Sequence, residues 1–170
     1  VERSRQKLGE GRMEEAMSAA VESKKAAEQY ADRRMSEMFV QLGNLIALGE
    51  KEKIAVAARR QALNRAIKLH EEGDREGSLS KAVSCFKSLQ EAFSKIVEAR
   101  AGSIMELVES GAPGADMSAV TVLVDASRDQ MGRGKIEEAL RTLVQAQEAL
   151  RPILAEAVNA LVAAQEERNA

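Results

Sequence analysis

The sequence predicts an all-α protein: a staggered antiparallel helical bundle, or a short solenoid, of alternating short and long helices. Three observations predict it. Apolar residues recur at steps of three and four through every long segment, the spacing of one helix face. No stretch alternates with period two over the length of a strand. Aromatics make up only 2% of the 170 residues. The core must therefore be Leu, Ile, Val, Ala and Met, and small Ala lets helices approach closely.

Composition bounds the rest. With 45% hydrophobic and 31% charged residues, the chain suits a folded protein rather than a disordered one. A formal net charge of −2 favours neither a polyanionic nor a polycationic partner. Cys85 is the only cysteine, which excludes a disulfide within the chain and a Cys-rich metal framework. No apolar run reaches the length of a membrane span, and no signal peptide is visible. The chain begins with Val1 rather than Met, so a fragment of a longer protein is expected, with the cytoplasm as its default location.

Taken in order, residues Val1 to Leu8 read as the end of a short helix. Gly9 and Gly11 then form a turn, because glycine accepts the positive φ of a helix C-terminus without steric cost. A long helix follows from about Arg12 to Leu48, with Glu14 and Glu15 beside the positive end of its dipole and Gly49 as its stop. A second helix spans about Lys51 to Glu72. The run Gly73-Asp74-Arg75-Glu76-Gly77 breaks it, and Ser78 is the candidate N-cap of a long helix from Leu79 to Glu109. Ser110 to Ala115, with Pro113, is the clearest loop, and Asp116 caps a short helix to Met131. The last long helix runs from Lys135 to about Arg168. Pro152 inside it predicts a kink or a break near Glu148, whose carbonyl loses its partner.

The stretch Gly132-Arg133-Gly134-Lys135-Ile136-Glu137-Glu138-Ala139-Leu140 has a copy 123 residues earlier, from Gly9 to Met17. A weaker copy begins at Gly77. Aligned on these glycines, the three units lie 66 and 57 residues apart. That alignment sets Leu79, Val83, Phe86 and Phe93 against Ile136, Leu140, Leu143 and Leu150, and expects both sets to be buried. It also matches the polar residues Lys24, Gln90 and Gln147. The approximate units are 1–49, 50–111 and 112–170. The apolar step of 3.5 predicts shallow, left-handed helix crossings.

Gly134-Lys135-Ile136-Glu137-Glu138-Ala139-Leu140, with Ala146 seven residues after Ala139, resembles the second-helix start of a tetratricopeptide repeat. Gly11-Arg12-Met13-Glu14-Glu15-Ala16-Met17 is similar. The resemblance covers about ten residues per unit. It implies a helical hairpin in a protein-interaction array, without carrying over a peptide-binding groove. The chain departs from the family in its longer spacing and in lacking the large first-helix residues.

Candidate chemistry is sparse. His70 is the only histidine, and a di-iron bundle needs two Glu-x-x-His elements. In the glycine alignment it matches Ser127 and Ser4, so it reads as a polar residue at a helix edge. Cys85 reads as a small buried residue rather than a nucleophile. Gly9-x-Gly11 and Gly132-x-Gly134 lack the third glycine and preceding strand of a phosphate cradle. Glu14-Glu15 and Glu137-Glu138 are explained by their place in first turns. Met13, Met17 and Met38 fall on the packing row and read as core. Arg59, Arg60, Arg65 and Lys68 form the most basic stretch, a solvated face or a nucleic-acid contact.

The expected function is a non-enzymatic scaffold or protein-protein interaction module, with no cofactor, no metal, no membrane and no catalytic residue. Its partner would be a protein. The C-terminal half of the last helix, where Leu154, Leu161 and Val162 lack a following short helix to cover them, is expected to pack on a neighbouring helix of its own chain or on a second copy as a homo-oligomer, the alternative being burial by a downstream unit. The alternatives are a nucleic-acid-binding helical domain using Arg59, Arg60, Arg65 and Lys68, which the negative net charge and missing aromatics disfavour, and a ligand carrier with a site between helices.

Overall fold

The computed structural model describes residues 2–9, 12–110 and 116–169. These residues form six α-helices and no strand, which establishes the all-α class. They are α1 (Glu2–Gly9), α2 (Met13–Lys51), α3 (Ala57–Glu71), α4 (Arg75–Ser110), α5 (Ser118–Gly132) and α6 (Ile136–Asn169). Short and long helices alternate as read. The chain divides into two compact units, Val1–Phe86 and Lys87–Ala170, and the division falls inside α4. The expected turn at Gly11 and most of the loop at Ser110 to Ala115 lie outside the described residues.

Several boundaries are corrected. α2 passes through Gly49, which is buried beside Leu45 and Ile46, so packing outweighs the roughly 1 kcal/mol helix penalty of a glycine. Ser78 is no N-cap, since α4 begins three residues earlier. Asp74 caps it instead, its Oδ1 accepting the Gly77 N–H at 2.9 Å. A Cβ on Gly77 would collide with that carboxylate, so glycine here makes room for the cap. At α5 the cap position is Met117, one residue after the expected Asp116. Asp116 still serves the helix start by accepting the Ser118 N–H at 2.9 Å, and hydrogen bonds from Ser118 hold its carboxyl below the usual range. α6 continues unbroken through Pro152. Glu148 and Pro152 are both exposed, so the carbonyl freed by the proline faces water rather than the core.

Three turns close with one hydrogen-bond pattern. After α3, Gly73 N–H donates to the His70 carbonyl and Asp74 N–H to that of Leu69, at 3.0 and 2.9 Å, with Gly73 at φ +85°. After α5, Gly134 donates to Met131 and Lys135 to Gln130, again at 3.0 and 2.9 Å, with Gly134 at φ +76°. After α2, Lys53 donates to Glu50 and Ile54 to Gly49, with Lys53 at φ 60°. The bonds satisfy the last helix carbonyls, and the left-handed residue reverses the chain.

The turns also correct the internal alignment. Gly134 matches Gly73, 61 residues earlier, rather than Gly77 at 57. A slip of four residues rotates a helix position by only about 40°, which keeps it near the same face and disguises the error. The buried row of α4 is Ser78, Ala82, Cys85, Leu89 and Phe93. At an offset of 61, the first four match the buried Ala139, Leu143, Ala146 and Leu150. Leu79 and Val83, expected in the core, are exposed, and Phe86 is half-buried. Phe93 is fully buried as expected.

The corrected alignment brings one contact into view. Ser78 Oγ donates to the Ala66 carbonyl across α3 and α4 at 2.7 Å. Ser127 Oγ donates to the Ala139 carbonyl across α5 and α6 at 2.8 Å. Ser78 corresponds to Ala139, and Ala66 to Ser127: the same two positions, with serine and alanine exchanged. Ser4 and Ala16 stand 123 residues before Ser127 and Ala139 and are buried too, although there the Ser4 hydroxyl finds no partner. Side chains this small bring the two helices close enough for a hydroxyl to reach the facing backbone. Each bond contributes about 1 kcal/mol net.

Within the first unit, the second half of α2 packs on α3 and the start of α4. Glu50 meets Arg60 at 2.7 Å, Phe39 lies edge-on to His70, and Arg75 grips Asp32 through two bonds of 3.0 Å. Within the second unit, α4 from residue 87 onward lies beside α5 and α6. Arg128 bonds Glu98 at 3.2 Å, and Ser103, Ile104 and Leu107 share a groove with Leu150 and Leu154. In both places the second half of one long helix is covered by the hairpin that follows.

Lys53 is the only non-glycine residue at positive φ among the described residues. A side chain in that region costs about 1 kcal/mol. Lys53→Gly is therefore expected to raise unfolding stability by up to about 1 kcal/mol in urea, whereas Gly73→Ala and Gly134→Ala lower it by a similar amount. Equal responses at all three positions would show that the turns are not alike.

Candidate functional site

The basic residues all lie on α3. Arg60 is paired with Glu50 at 2.7 Å and Lys68 with Glu72 at 3.6 Å. Arg59 is half-buried and donates to the Ala55 carbonyl within its own chain turn. Arg65 is exposed. Carboxylates are thus interleaved with the cations, and the four do not form a continuous positive surface.

His70 sits at the end of α3, mostly buried. Its Nε2 is 4.0 Å from Asp32 Oδ1, and its ring is 5.7 Å from that of Phe39 at 73°. Its Nδ1 is buried without a hydrogen-bond partner. The corrected alignment matches His70 to the buried Met131, and not to Ser127 as the glycine alignment had it. The position is one where packing is required. Asp32 is occupied chiefly by Arg75, whose guanidinium bridges α2 and α4. Among the described residues, no three His, Cys, Asp or Glu side chains are placed to hold a metal ion.

Cys85 is buried, as read, and its Sγ lies 3.4 Å from the Arg59 carbonyl. Burial pushes the thiol above its ordinary pKa, against a smaller opposing effect of the Arg59 charge. A buried thiol kept neutral is a poor nucleophile.

Two open grooves lie in the second unit. One, of about 640 Å³, runs between Lys87, Glu91, Lys95 and Glu98 on α4 and Arg128 and Met131 on α5. The other, of about 440 Å³, is more apolar, with Ile104, Leu107, Leu150 and Leu154 along its walls. Both open broadly to solvent and neither includes His70; in the first, Glu91 and Glu98 alternate with Lys87, Lys95 and Arg128.

The apolar surface is the more informative feature. Met13 and Met17, expected in the core, are 61% and 65% exposed, and Met38 is half-buried. Their counterparts 123 residues later, Ile136 and Leu140, are buried. The position differs among the three copies: at the offset of 61 the α4 counterparts of Ile136 and Leu140 are Arg75 and Leu79, and Leu79 is exposed as well. At the other end Leu154 is half-buried, while Val158, Leu161 and Val162 are 57%, 69% and 52% exposed. Their counterparts 61 residues earlier include Val97 and Ala101, both fully buried. The helical period marks these residues as apolar-face positions. Only the three-dimensional arrangement shows which of them lack a cover.

No helix among the described residues is long and apolar enough to cross a membrane. No family model, curated protein or solved structure matches the chain.

If His70 serves packing, its unpaired Nδ1 is a cost rather than a function. His70→Met, which copies Met131, is expected to leave the fold intact and raise stability by about 1 kcal/mol in urea, since it removes a buried unsatisfied atom. A loss above about 2 kcal/mol would mean that the Asp32 and Phe39 contacts outweigh that cost.

Proposed function

We propose that the chain is a non-enzymatic scaffold or protein-interaction module built from helical hairpins in the manner of a tetratricopeptide-like array. The observation that carries this reading is the pair of uncovered apolar rows at the start of α2 and the end of α6. Apolar side chains exposed at helical spacing suit docking against another helix. The recurring turn and the serine–carbonyl contact support an array of like hairpins. From Gly11 to Gly73 to Gly134 the spacing becomes 62 and 61 residues, more regular than the sequence alignment suggested, though still longer than the roughly 34-residue tetratricopeptide period. Paired hairpins with locked turns would hold such faces in fixed register. The single buried thiol fits a cytoplasmic location. Glu50 and Glu72, interleaved with the α3 cations, weigh against the nucleic-acid reading.

A photoactivatable side chain placed at Met17 and, separately, at Leu161 tests this in extract of the source cell. Capture of protein that is abolished by a neighbouring charge, Met13→Glu or Val158→Glu, is expected. Recovery of RNA or DNA instead, lost on charge reversal of Arg59, Arg60, Arg65 and Lys68, would replace the proposal with the nucleic-acid reading.

A further inference from the structure

We draw no further inference here: the strongest candidate, the open groove between α4 and α5 lined by Lys87, Glu91, Lys95, Glu98 and Arg128, alternates cations and carboxylates along its walls, and nothing in the structure shows what covers it.

Discussion

Each short helix is held against the long helix after it by a pair of residues small enough to bring the backbones together. At Ala66 and Ser78, and again at Ser127 and Ala139, one serine hydroxyl spans the gap to the opposite carbonyl. A larger side chain at either position would push the helices apart and leave the hydroxyl, now buried, without a partner. The turn sets how closely the helices can start, and the small pair sets how closely they continue. The glycines at Gly73 and Gly134 matter for the first reason, and Ser78 and Ser127 for the second.

The length mismatch follows from these hairpins. α3 and α5 have 15 residues each, whereas α2, α4 and α6 have 39, 36 and 34. A short helix can cover less than half of the long helix it is clamped to. The remainder is covered in α2 and α4 by the next hairpin, and in α6 it is left in solvent along Val158, Leu161 and Val162. The exposed apolar row is thus a consequence of the folding unit. The polar contacts around it, such as Arg60 with Glu50, are exposed and contribute little to stability individually.

The class, the alternation of helix lengths and the turns at Gly73 and Gly134 were legible in the sequence because each depends on local spacing or local φ. The register was not. Gly77 follows Gly73 by one helical turn, and either could have been the turn glycine. The deciding evidence is the positive φ of Gly73 and the cap from Asp74 that Gly77 accommodates. The turn at Lys53 was invisible because no glycine marks it. Exposure of Met13 and Met17 could not be read from a helical period, which identifies a face without saying what lies against it. The basic stretch on α3 was legible as charge, but its pairing with Glu50 and Glu72 depends on where α2 and α3 end.

The equivalence of the two hairpins is most directly tested by exchanging their clamp. Ala66→Ser combined with Ser78→Ala gives α3 and α4 the arrangement found in α5 and α6. If the positions are equivalent, the double variant should unfold in urea within about 0.5 kcal/mol of the wild type, while Ser78→Ala alone loses about 1 kcal/mol. A double variant as unstable as Ser78→Ala alone, or more so, would show that the two contacts are unrelated and that the hairpins are not copies of one packing unit.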